Sequence, residues 1–139
     1  MAVGLWLAWD SVMQDYKRLE VWKLAHEVTL DVYRLTKGFP SDERFGVTSQ
    51  LRRSMASVGA NLAEGCGRGS DADFAKFVQI AIGSASETDY HLLLARDLGY
   101  LEATTHQEIA SRLASVRRML SALLNRLRQP PIANSQQPA

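Results

Sequence analysis

Residues 44–90 read RFGVTSQLRRSMASVGANLAEGCGRGSDADFAKFVQIAIGSASETDY, and this stretch decides the fold. Between Gln50 and Glu64 the apolar residues fall at Leu51, Met55, Val58 and Leu62, in steps of four, three and four. That spacing is the core seam of an α-helix. A polar stripe of Gln50, Arg53, Ser57, Asn61 and Glu64 runs beside it, also in steps of three and four. At about 100° per residue the stripe sits roughly a third of a turn from the seam. Such a flank suits side chains that bond a neighbouring helix. The stretch breaks at Gly65-Cys66-Gly67-Arg68-Gly69 and restarts at Ser70.

Working outward, three more helices complete the pattern. The first spans about Arg18 to Lys37, with Val21, Ala25, Val28, Val32 and Leu35 as its seam and Trp22 alongside. Gly38 reads as its C-terminal stop, and Pro40 forbids continuation. The second covers about 45–65. The third starts at Ser70, where Ser70-Asp71-Ala72-Asp73 resembles a capping box. Its seam is Phe74, Phe77, Ala81, Ala85, Thr88, Leu92 and Ala95, and it ends near Gly99. The fourth is expected to start at Thr104 or Thr105, with Gln107 or Glu108 completing a capping box. Ile109, Leu113, Val116, Leu120, Leu123 and Leu127 form its seam, and Pro130-Pro131 ends it. No segment alternates as a strand does. Short connections between long helices predict an all-α, antiparallel up-down four-helix bundle.

A chain of 139 residues fits one domain. Residues 15–128 form the bundle, 1–14 an N-terminal extension, and 129–139 a disordered tail. The opening MAVGLWLAWDSVM is apolar but has no basic n-region or small-residue cleavage site, which argues against a signal peptide. Our preferred reading makes Met13 the natural start and residues 1–12 an upstream extension. No apolar run reaches the ~18 residues of a membrane span. Net charge is +1, with 46% apolar and 22% charged residues, so no global charge draws the chain to nucleic acid or membrane. Cys66 is the single cysteine, which excludes an internal disulfide and suits a reducing, cytoplasmic setting.

These elements carry a family resemblance. Leu19-Glu20-Val21-Trp22, Arg44-Phe45-Gly46, Gln50-Leu51-Arg52-Arg53, Asn61-Leu62-Ala63-Glu64-Gly65, Gly83-Ser84 with Glu87, and Leu98-Gly99-Tyr100-Leu101 occur in this order. Each piece alone is weak; together they are specific. The chain resembles, over residues 15–128, the bacterial four-helix bundle proteins related to the large-subunit rRNA intervening-sequence protein. It departs from the family's pattern at Gly59, where proline is frequent, and at Cys66, where an aromatic is frequent. The resemblance implies a ring-like homopentamer. Relatives include the accessory protein of diversity-generating retroelements, which binds nucleic acid and a reverse transcriptase.

Motifs for catalysis are not found. The glycine-rich 65–69 stretch follows a helix rather than a strand and lacks GK[ST], so it reads as a turn and not a phosphate cradle. A di-iron bundle needs Glu-x-x-His pairs, and this chain has none. Glu87–His91 and Glu102–His106 are four apart instead. No metal, cofactor or enzymatic activity is expected. Gln50, Arg53, Asn61, Glu64 and Glu87 are read as a structural polar network. Arg53 and Glu64 are too far apart along the axis to bond each other, so each is expected to reach another helix or subunit.

Charge asymmetry is the hint about partners. From Ser111 to Arg128 there are five arginines and no acid, whereas residues 70–99 hold five acids against two bases. Arg117 and Arg118 are the first candidates for nucleic-acid contact, with Arg52 and Arg68 next. On the helical wheel the five arginines do not form one tight stripe. The expectation is a non-enzymatic, homo-oligomeric accessory protein that binds RNA or DNA. The alternative is an oligomeric scaffold that binds protein.

Overall fold

The computed structural model describes residues 15–129. The proposed N-terminal extension and nearly all of the proposed tail lie outside the described residues. Four α-helices and no strand occur among the described residues: α1 Glu20–Thr36, α2 Val47–Cys66, α3 Asp71–Asp97 and α4 Ala103–Arg128. Short 3-10 turns at Tyr16–Arg18 and Ser41–Glu43 precede α1 and α2. No helix among the described residues is long and apolar enough to cross a membrane.

Each helix packs against the one before and after it in the chain, and α4 closes back on α1. Paired residues run in opposite order along neighbouring helices. Across α1 and α2, Thr29 meets Met55 and Thr36 meets Arg52. Across α2 and α3, Arg53 meets Glu87 and Ser57 meets Ser84. Across α3 and α4, Gln79 meets Arg128 and Ser86 meets Arg117.

The apolar seams form one core. All four seam residues expected in α2 and all six expected in α4 are buried, with Leu124 added. In α1 the seam shifts at its end. Leu35 is only partly buried and Thr36 takes the inner position, because its hydroxyl is satisfied by the Val32 carbonyl at 2.7 Å and by Arg52 Nε at 2.8 Å. In α3, Ala75 and Val78 are buried while Phe77 is only partly so.

The helix ends are set by local chemistry. Ser70 Oγ accepts from the Asp73 backbone N–H at 3.2 Å, capping α3 as expected. Gly99 has φ 84°, and the bonds Gly99 N–H to Arg96 O and Tyr100 N–H to Ala95 O, both 2.9 Å, make a Schellman ending. Gly38 follows the C-cap residue Lys37, the stop position expected of it, though among the described residues only Gly69 and Gly99 have positive φ. One expectation needs correcting. Helix α4 starts at Ala103, not at Thr104 or Thr105 as its first capped residue, and no side chain caps it. Leu101 is buried two residues before it, and Glu102 occupies the N-cap position.

One acid joins the two loops at one end of the bundle. Glu43 Oε1 accepts from the Val47 N–H at 3.2 Å, and Glu43 Oε2 accepts from Tyr100 Oη at 2.7 Å. That hydrogen bond to a carboxylate raises the Tyr100 phenol above its ordinary range.

Candidate functional site

Two members of the polar stripe of α2, Arg53 and Ser57, bond to α3, each within its own group. Arg53 Nη2 donates to Gln50 Oε1 at 2.8 Å and to Glu87 Oε2. Glu87 Oε2 also lies 3.2 Å from His91 Nε2, one turn on. The His91 side chain is 15% exposed, and its Nδ1 is buried without a hydrogen-bond partner. Further along, Asn61 Nδ2 donates to the Ser57 carbonyl at 2.8 Å and to Ser57 Oγ at 2.9 Å, and Ser57 Oγ sits 3.0 Å from Ser84 Oγ. Below these lies a fully buried pair, Ser54 and Thr88, 2.8 Å apart.

Arg53 therefore reaches another helix, as the sequence suggested. Glu64 does not do so within the chain. Its carboxylate is 52% exposed and pairs with Arg68 one turn later at 3.1 Å. The physical reason is rotation about the helix: on the last turn of α2 it is Gly65 that turns to Phe74 and Phe77 of α3, while the exposed Glu64 beside it meets the local arginine.

The four candidate arginines are not brought together. Arg52 is engaged inside the chain, donating to Thr36 Oγ1 at 2.8 Å and the Tyr33 carbonyl at 3.3 Å, with its guanidinium 4.8 Å from the Tyr33 ring. Arg68 pairs with Glu64 and lies 4.9 Å from the Phe77 ring. Arg117 reaches Ser86 at 3.3 Å and Asp89 at 3.8 Å, both on α3. Arg118 is exposed and donates to Ser115 at 2.9 Å. Arg112, on the opposite shoulder of α4, is clasped by Glu27 and Asp31 of α1. The acid-free run of α4 is thus partly matched by acids of its neighbours.

Among the described residues no three of His, Cys, Asp and Glu converge on a metal-sized site. The Cys66 thiol is pushed up to about 11, first by burial and then by the negative charge of Asp15, so it is protonated near neutrality.

Sequence reasoning missed three features. The Ser54–Thr88 pair left a signal, since Ser54 lies three before Ser57 and Thr88 four after Ser84. The stacking of Trp22 on His26, with ring centroids 4.9 Å apart and planes 9° from parallel, was visible only as i,i+4 spacing. Glu43 left no signal, because its partner Tyr100 is 57 residues away.

A profile described as the 23S rRNA-intervening sequence protein matches residues 17–122. The chain belongs to that family. A solved protein of unknown function from the S23 ribosomal protein family, from Bacteroides thetaiotaomicron, is similar at 26% identity and TM-score 0.70. The match covers 76% of this chain and 95% of that one. No curated protein matches.

In this member of the 23S rRNA-intervening sequence protein family, the recognisable motifs have structural positions. Leu19 to Trp22 opens α1 and supplies the buried Leu19 and Val21. Asn61 to Gly65 ends α2, and a Cβ on Gly65 would lie 2.7 Å from Phe74 Cδ1 and 2.8 Å from Phe77 Cβ. Ser84 and Glu87 meet the polar stripe of α2.

Proposed function

We propose that this chain is a non-enzymatic accessory protein of the cytoplasm, an antiparallel up-down bundle that assembles into a homo-oligomer, with five subunits favoured, and binds RNA or DNA. The opposed order of paired residues supports the topology. The observation that carries the binding reading is the arginine content of α4. From Ile109 to Arg128 it holds five arginines and no acid, with Arg118 exposed and Arg117 held only by half-exposed partners. Exposed contacts of that kind contribute little, so phosphate can replace them. Repetition around an oligomer multiplies weak contacts through avidity. The family's description also names ribosomal RNA.

The test is titration of structured RNA and of duplex DNA at low and physiological salt. With about five phosphate contacts per assembly, affinity should fall on the order of 10²–10³-fold between ~50 and ~200 mM salt. Replacing Arg117 and Arg118 together by Glu should weaken binding without loss of helicity, since both are exposed. Binding that survives this double replacement refutes the arginine assignment.

A second reading, an oligomeric scaffold that binds protein, is favoured by the net charge of +1 and by the internal engagement of Arg52 and Arg68. Wild-type protein that binds neither nucleic acid at low salt makes this the better reading.

A further inference from the structure

The connection between α1 and α2 carries two phenylalanines in opposite settings. Phe39 is buried, with its ring centroid 5.5 Å from that of Tyr100. Phe45 is 85% exposed, more than any other large apolar side chain among the described residues. A lone exposed apolar side chain needs no function. What marks Phe45 is that the chain fixes it there. The Gly46 N–H donates to the Glu43 carbonyl at 2.9 Å, and the Arg44 N–H donates to the Ser41 carbonyl at 3.2 Å. The Glu43 carboxylate accepts from the Val47 N–H beyond. A Cβ on Gly46 would overlap Glu43 Oε1, so glycine is what lets the carboxylate approach. The Arg44-Phe45-Gly46 motif thus closes a turn that holds the backbone around Phe45 and leaves its ring in water. Phe39 already anchors the connection to the core, so Phe45 is not needed there.

Charge sits beside the ring. The Arg44 guanidinium lies 5.4 Å from its centroid, a cation–π contact. Among the described residues neither Arg44 nor Lys37 is in an ion pair. The Glu43 carboxylate is taken up by Val47 and Tyr100, which leaves Asp42 as the connection's other acid against these two bases. An aromatic face beside a guanidinium matches a nucleotide, whose base offers a π-face and whose phosphate offers charge. An apolar pocket on a protein would accept the ring but would have to desolvate the guanidinium. A base inside a duplex has both faces stacked already, so an unpaired base is the one that can use the ring.

We propose that Phe45 and Arg44 form a stacking platform for one unpaired base, with Arg44 also meeting a neighbouring phosphate. This rests on the nucleic-acid reading above and names the class it takes: strands with unpaired bases rather than a continuous duplex. The platform lies on the α1–α2 connection, apart in sequence from Arg117 and Arg118 of α4.

The experiment adds the full chain, at low salt, to a labelled unstructured single-stranded RNA and to the duplex of the same sequence. Wild type is expected to bind the single strand more tightly. Phe45→Leu keeps the apolar bulk and removes the π-face; it should weaken single-strand binding about tenfold or more and leave duplex binding unchanged. Phe45→Trp should keep the wild-type affinity and show quenching of tryptophan emission beyond that of wild type. If Phe45→Leu loses helicity, Phe45→Gln replaces it with the same outcomes. Wild type that binds neither probe overturns the nucleic-acid reading itself. Wild type that binds, with Phe45→Leu at full strength on the single strand or equally weakened on both probes, overturns the platform alone. So does a Phe45→Leu protein whose mass by light scattering falls below that of wild type, which would place the ring at a contact between copies.

Discussion

Thr88 Oγ1 lies 2.8 Å from Ser54 Oγ, and neither side chain exposes any surface. Thr88 has one proton and two acceptors in reach, Ser54 Oγ and the Ser84 carbonyl at 2.8 Å. When that proton goes to Ser84, Ser54 donates to Thr88 and both hydroxyls are satisfied. The pair joins α2 to α3 at the bottom of the polar seam. Its two members are unequal. Without Thr88, Ser54 keeps only the Leu51 carbonyl at 3.4 Å. Without Ser54, Thr88 keeps Ser84.

Thr88→Val should therefore destabilise folding by about 1–3 kcal/mol and Ser54→Ala by about 0.5–1.5 kcal/mol. The double variant should lose less than the two losses added, because no hydroxyl is then left unpaired. Urea unfolding of the four proteins measures this. Strict additivity would show that the pair does not act as one unit.

Gly65 is buried at the last turn of α2, against Phe74 and Phe77 at the start of α3. Gly65→Ala should cost about 1–3 kcal/mol, since a methyl there overlaps two aromatic side chains that cannot both withdraw. An unchanged or raised melting temperature would mean that the turn relaxes freely.

Glu64→Ala should change the folding stability of the isolated chain by less than about 0.5 kcal/mol, because its ion pair among the described residues is an exposed i,i+4 contact with Arg68. A larger loss confined to concentrations at which the protein is oligomeric would place Glu64 at a subunit contact. Denaturation at two protein concentrations separates the two cases.

Cys66 should react slowly with iodoacetamide at neutral pH. Its thiol is buried and holds its proton up to about 11, against 9.0 in the unfolded chain. A folded-state value raised in this way stabilises the fold below the unfolded value, and the contribution is lost as pH rises from 9 towards 11. Alkylation followed by mass spectrometry should show the rate rising steeply with urea. A rate equal to that of a free thiol in the native protein would contradict the burial.

The helices and their inner faces were legible in the local pattern. Leu51, Met55, Val58 and Leu62 announce a seam at a period of 3.6, and Ser70 with Asp73 announces a cap, because both signals act between residues three or four apart. What each polar side chain touches was not legible in the same way. Arg53 and Glu64 look alike on the stripe of α2, yet one meets Glu87 across 34 residues of sequence and the other only Arg68. Glu43 and Tyr100 carry no mark of their contact, and Leu35 gives way to Thr36 because Arg52 arrives from α2. Periodicity along one helix thus determined which side of it turns inward. Only the packing of all four decided which polar groups meet and that Ile80, Tyr90 and Leu98 are left exposed. The first depends on the geometry of a single helix, and the second on the relative placement of chains far apart in sequence.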